Sequence, residues 1–312
     1  MNTLLNRRTV LMTAALGAGT TLLQACGGGD DEPQRTIVEI AQNNPDLSIL
    51  VEAVVAAGLT QTLSTGSLTV LAPTNAAFAA LLTELGVTKE ALLANKTLLT
   101  AVLSYHVLGS KVARADVPVG KAITPLAGGF FKIEATGGLK VTDGRNRVSN
   151  ITATDIQASN GVVHLLDRVL LPADKDIVAT ASVLPDFSIL VEAVAAAGLV
   201  STLQGQGPFT VFAPTNAAFA ALLAELGVTK EALFANKALL TSVLTYHVVP
   251  ARVLKAEVPV GSPITSVQGQ TFTVSASLAI SDQRMRTSDI VAADVFTSNG
   301  VIHVVDKVIL PR

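Results

Sequence analysis

The amino-acid sequence predicts an α+β fold made twice over, each copy running from short helices into an antiparallel sheet. Three observations carry that expectation: a long internal repeat, helical spacing of apolar residues in the first half of each copy, and strand-like segments joined by a hairpin signal in the second half. Leu71 to Leu108 and Phe212 to Val249 are identical at 31 of 38 positions at an offset of 141. The match extends outward through DLSILVEAVVAAGL (from Asp46) and DFSILVEAVAAAGL (from Asp186), and through SNGVVHLLDRVLLP (from Ser159) and SNGVIHVVDKVILP (from Ser298). A period of this length is a whole domain rather than a solenoid unit. The expected organisation is an export signal over 1–25, a tether over 26–35, a first domain over 36–172 and a second over 173–312.

Within the first copy, Asp46 is placed to cap a helix whose Leu47, Leu50, Val51, Val54 and Val55 share a face, with Gly58 as its stop. SLTVLAP then reads as a strand of alternating character that ends at Pro73. Thr74 or Asn75 caps the helix that follows, where Phe78, Leu81, Leu82 and Leu85 fall at i, i+3, i+4 and i+7 and Gly86 ends the run. Thr88 opens another helix, and Asn95 a third that buries Leu98, Leu99, Val102 and Leu103. After Tyr105-His106 the chain turns to strand character in FKIEA, LKVTD, ITATDIQAS and VVHLLDRVLL. Asn160-Gly161 is the hairpin signal between the last two.

Residues 1–26 follow a different logic. Arg7 and Arg8 precede an uncharged apolar segment, and small Ala25 precedes Cys26, the only cysteine of the chain. A positive start, an apolar middle and a small residue at the cut form the export-signal pattern. LQAC resembles a lipobox, where bacteria lipidate a cysteine and cleave before it, and NRRTVLM resembles a twin-arginine signal. GGGDDEPQR would then be a flexible acidic tether. The expected location is the bacterial cell envelope, with attachment to the membrane through lipid on Cys26. Gly27 after it favours the outer membrane.

Composition narrows the function. With 22 basic against 24 acidic residues there is no basic excess of the kind that nucleic-acid binding needs. The sequence lacks GxSxG, HExxH, a phosphate loop and a cysteine pair, so no catalytic residues, metal or cofactor are assigned. Ser159, His164 and Asp167 do not make a triad, because His164 and Asp167 have opposite parity on a strand.

TVLAPTNAAF and TVFAPTNAAF, YHVL and YHVV, and the paired SNGV segments resemble the first box, the Tyr-His motif and the second box of the fasciclin domain. All three occur in order in both copies. The resemblance implies a β-sheet wedge flanked by helices. It also implies a role in adhesion or matrix binding at the cell surface, with a surface protein or polysaccharide as partner. On the same resemblance Tyr105, His106, Tyr246 and His247 are candidates for contacts or for folding, together with Thr74, Asn75, Thr215 and Asn216 of the first box. Apolar surroundings favour the folding role for the histidines. Arg145 and Arg147, with Arg284 and Arg286, are a candidate basic patch: spaced by two on an expected strand, each pair would face one side and grip carboxylate or sulfate. The alternatives are a small-ligand carrier with a pocket between helices and sheet and an enzyme of unrecognised type.

Overall fold

The structure, a computed structural model, describes residues 35–312. The export signal, Cys26 and all of the tether except Arg35 lie outside the described residues. Thr36 opens the first copy with a capping box: its hydroxyl accepts from the amide of Glu39, whose carboxylate accepts from the amide of Thr36. Helices α1 (Ile37–Gln42), α2 (Ser48–Ala57) and α3 (Thr60–Ser64) lead into strand β1 (Leu68–Pro73). Helices α4 (Asn75–Leu85), α5 (Lys89–Ala94) and α6 (Lys96–Tyr105) follow. The strands are then β2 (Val107–Leu108), β3 (Ala122–Ile123), β4 (Phe131–Glu134), β5 (Lys140–Thr142), β6 (Val148–Ala158) and β7 (Gly161–Leu166).

The second copy repeats the order. Its elements are α7 (Ile177–Ser182), α8 (Ser188–Ala196), α9 (Val200–Leu203), β8 (Phe209–Pro214), α10 (Asn216–Leu226), α11 (Lys230–Ala235) and α12 (Lys237–Tyr246). They continue with β9 (Val248–Val249), β10 (Pro263–Thr265), β11 (Thr271–Val274), β12 (Ala279–Ser281), β13 (Thr287–Thr297) and β14 (Gly300–Val305).

Local signals place most of these boundaries. Thr74, Thr88 and Asn95 each accept an amide of the helix they open, and Gly58 and Gly86 close α2 and α4 in left-handed conformation at φ 73° and 65°. Asp46 does not cap α2. It lies inside a 3-10 turn, Pro45–Leu47, where its own amide is held by the Asn44 side chain. The first turn of α2 is satisfied from elsewhere, by Asn75 Oδ1 accepting from the Ile49 amide at 2.9 Å. Three expected core positions face water instead, Val55 at 61%, Leu85 at 37% and Leu98 at 37% exposure.

Each copy has one seven-stranded sheet, ordered β2-β1-β7-β6-β5-β4-β3 in the first. The sheet is mixed rather than purely antiparallel: β1 runs parallel to β7, from Leu68 opposite Gly161 to Pro73 opposite Leu166. Every residue of β1 is buried, so its expected alternation between core and water is absent. Both of its faces are covered. Val70 and Ala72 pack under the helices with Phe78 and Leu99, while Leu71 packs with Tyr105, Phe131 and Ile133 inside the curl of the sheet. The β6–β7 hairpin is one residue earlier than expected. Ser159 and Asn160 form the loop and Gly161 already belongs to β7, where a Cβ would stand 2.0 Å from the Leu68 carbonyl oxygen. Asn160 ties this hairpin to the helices, accepting from the Ile37 amide and donating to the Leu63 carbonyl.

Candidate functional site

The Tyr-His motif sits at the end of α6, where the helix gives way to β2. His106 Nδ1 donates to the Val102 carbonyl at 2.7 Å, and Nε2 accepts from the Leu170 amide at 2.9 Å. The ring therefore joins the helix to the segment beyond β7. Burial pushes its pKa down to about 4, which keeps the ring neutral, as that bonding pattern requires. His247 repeats the arrangement with Val243 and Ile309 at 2.8 and 3.0 Å, and its pKa is likewise pushed down to about 4 by burial. The Tyr105 hydroxyl donates to the Phe130 carbonyl, and that of Tyr246 to the Thr271 carbonyl at 2.8 Å. Burial raises both phenols, Tyr246 to about 12. No side chain of this motif offers a free group to a partner or a substrate.

The second histidine of each domain is equally engaged. His164 Nδ1 accepts from the Asp155 amide and Nε2 donates to the Val112 carbonyl; His303 does the same with Asp294 and Val253. These bonds hold irregularities in β6 and β13, where Asp155 and Asp294 adopt φ 60° and 61°. Asp167 accepts instead from Ser149 and Asn150, away from His164. Among the described residues no three His, Cys, Asp or Glu side chains are placed to hold a metal ion, and no helix is long and apolar enough to cross a membrane. Thr74 and Thr215 cap α4 and α10. Asn75 and Asn216 bridge the start of those helices to the 3-10 turns at Pro45 and Pro185.

The arginine pairs are not where the sequence puts them. Arg145 and Arg147 lie in the turn between β5 and β6, not on a strand. Arg147 forks onto buried Asp143, with Nε and an Nη donating at 3.0 and 2.7 Å, and also reaches Glu84 and the Val169 carbonyl. Arg145 pairs with Asp174 at 3.1 Å. Arg286 pairs with Glu225 at 2.7 Å, and Arg284 donates to the Pro311 carbonyl. Each of the four guanidinium groups has an acceptor, a carboxylate for three of them, so they do not form an open basic patch.

Sequence reasoning missed the seam between the two domains. Lys132 of β4 donates to Asp294 of β13 at 2.9 Å, and Glu134 stands 2.8 Å from the same ammonium. Burial works against the Lys132 charge, but these two carboxylates outweigh it and raise the pKa. Beside the pair, the Phe130 and Phe296 rings meet at 4.7 Å, and Arg252 lies 4.5 Å over Phe130. Asn146 donates to the Phe296 carbonyl and accepts from its amide. A signal for this seam exists in the repeat itself. Phe130, Lys132 and Asn146 align with Thr271, Thr273 and Met285, and Phe296 aligns with Gln157. The copies differ at these four seam positions, while Asp294 keeps its counterpart in Asp155.

The Fasciclin domain family profile matches residues 45–172 and 185–311, nearly all of the two described copies. The chain belongs to the fasciclin domain family. Its fold is accordingly two tandem fasciclin domains, each a curled seven-stranded sheet flanked by helices. Protein sll1483 of Synechocystis is 48% identical over 128 residues, 40% of this chain and 67% of that protein. Transforming growth factor-beta-induced protein ig-h3 of Sus scrofa is 28% identical over 255 residues, and human periostin 28% over 251; each alignment covers 79% of this chain. The chain spans only 35% and 28% of those two proteins. A solved fasciclin domain pair from the insect cell adhesion molecule Fasciclin I matches 85% of this chain and 97% of its own at TM-score 0.43 and 17% identity. Fasciclin domains are known from adhesion proteins.

Proposed function

We propose that this protein is a lipid-anchored adhesion or matrix-binding module of the bacterial cell envelope, which engages a surface protein or polysaccharide through its two fasciclin domains. The observation that carries the reading is the pairing of two such domains behind an export-type leader that ends at Cys26. The occupied hydrogen bonds of the Tyr-His motif support recognition by a broad surface rather than by a reactive cleft, since every histidine nitrogen already has a backbone partner. The seam presents the two domains as one fixed pair. Two similar surfaces on one anchor raise the effective concentration at a repetitive ligand, so weak contacts add up.

Three measurements test this. Cells fed a labelled fatty acid should transfer label to the wild-type protein and not to Cys26→Ser. The protein should also sediment with extracellular polysaccharide or matrix protein, and surface labelling of whole cells should reach it. Failure to label at Cys26 removes the anchor, and labelling only after lysis removes intercellular adhesion. The alternative of a carrier with its pocket between helices and sheet meets a size limit. The apolar cavities there measure about 40 Å³ in the first domain and about 30 Å³ in the second, room for little more than a few solvent molecules.

A further inference from the structure

We propose that the first domain, and not the second, holds a pocket for a small neutral aromatic molecule, in the space that a phenyl ring of the protein occupies in the second domain. The pocket lies inside the curl of the sheet, on the side away from the helices, and has a volume of about 280 Å³. Leu71, Ile133, Ile151 and His164 line its interior, while Ser110 and Thr124 stand exposed at its mouth.

The duplication supplies an internal control. Leu71 is the register partner of His164 across the parallel β1–β7 pair, and Phe212 is the register partner of His303 across β8–β14. The Phe212 ring lies 5.4 Å from that of His303 and meets Phe272 edge-on at 5.1 Å. Phe212 belongs to the same apolar cluster as Val274, with Ile290 packed against it, and these are the counterparts of Ile133 and Ile151. In the first domain Phe131 and His164 keep their places, but the isobutyl group of Leu71 carries no ring to set between them. A ring entering the pocket would meet Leu71 and His164, the pair whose counterparts Phe212 and His303 set their rings 5.4 Å apart.

The polar groups of the pocket restrict the ligand further. His164 uses both nitrogens on backbone partners, at 3.2 and 3.0 Å. The Thr69 hydroxyl donates to the Ser110 carbonyl at 2.7 Å and accepts from the Val112 amide at 2.8 Å. No charged side chain lines the pocket, and burying an unpaired charge there would be costly. The ligand enters with its ring inward, and one polar substituent can meet the Ser110 or Thr124 hydroxyl at the mouth. Since an apolar cavity of roughly 150 Å³ admits benzene, this larger pocket has room for a substituted or two-ring aromatic. The proposal does not depend on the adhesion reading.

Titration of the protein with indole, followed in methyl-resolved carbon–proton spectra, tests it. The expected result is one saturable site per chain, with the largest shifts at the methyls of Leu71, Ile133 and Ile151. Leu71→Phe supplies the missing ring and should weaken binding at least tenfold while its melting temperature holds. Phe212→Leu opens the corresponding space in the second domain and should raise the stoichiometry from one to two. If Leu71→Phe does not fold, the wild-type shift map and the Phe212→Leu stoichiometry decide by themselves. The proposal is overturned by absence of saturable shifts up to the solubility of indole, by shifts centred on another surface or cavity, by unchanged affinity in a folded Leu71→Phe, or by a stoichiometry that stays at one in a folded Phe212→Leu.

Discussion

Lowering the pH from 7.5 to 5 should destabilise this protein by way of two buried rings. His106 and His247 keep pKa values of about 4 when folded, because burial disfavours their charged forms. In the unfolded chain each returns to roughly 6.5. The unfolded state thus binds the extra protons, and stability falls as pH drops through 6.5 toward 4. At pH 5 each ring is almost fully protonated when unfolded and almost neutral when folded, a loss of about 2 kcal/mol per histidine and about 4 kcal/mol for the two. That is a large fraction of the 5–15 kcal/mol that roughly bounds domain stability. His303 is lowered by burial as well and acts in the same direction. Urea denaturation followed by circular dichroism at both pH values measures the loss directly. His106→Ala should cost about 1–3 kcal/mol at pH 7.5, by leaving the Leu170 amide and Val102 carbonyl without partners. It should also remove about half of the loss between pH 7.5 and 5. A stability that is flat over this range, or a His106→Ala variant with the full pH dependence, would refute the reasoning.

Substitutions at four further residues probe the rest of the framework. Lys132→Met leaves the buried Asp294 carboxylate with the Lys255 amide as its remaining donor and should cost about 3–5 kcal/mol of coupling between the domains; scanning calorimetry should show one cooperative transition divide into two, and an unchanged trace would count against the seam. Asp143→Ala removes the acceptor of the Arg145, Arg147 and Leu171 amides and of the Arg147 guanidinium, a loss of about 3–5 kcal/mol. Asp282→Ala should lose less, because Asp282 accepts the amides of Arg284, Arg286 and Leu310 while the Arg286 guanidinium reaches Glu225 instead; equal losses in urea titration would contradict this difference. Thr74→Ala should cost about 1 kcal/mol through the lost cap of α4, and Thr74→Ser should restore most of it.

What the sequence reveals follows from the range of the interactions involved. Thr74, Thr88, Asn95, Gly58 and Gly86 were readable because each acts on an amide or carbonyl within a few residues of itself. The pairing of β1 with β7 joins segments at opposite ends of a domain, and its register was set by strands that local pattern cannot align. For the same reason the sequence does not disclose the burial of both faces of β1, since an apolar run of six residues does not state what covers it. The fasciclin boxes were legible as motifs, while their role was not. Only the structure shows that His106 and His164 point both nitrogens at backbone groups. The arginines misled because Asp143 and Asp282, which draw their amides into a turn, look in sequence like ordinary loop acids.

The seam joins unlike faces. Contact between different surfaces of similar units builds rings where the rotation closes and open filaments where it does not, provided that every unit carries both surfaces. Here the ring, cation and amide of Phe130, Lys132 and Asn146 belong to the first unit, and the corresponding positions of the second hold Thr271, Thr273 and Met285. Gln157 in the first unit likewise replaces the Phe296 ring that receives them. The contact between the two domains is therefore one between unlike surfaces of similar units, and these four of its residues are not duplicated with the fold.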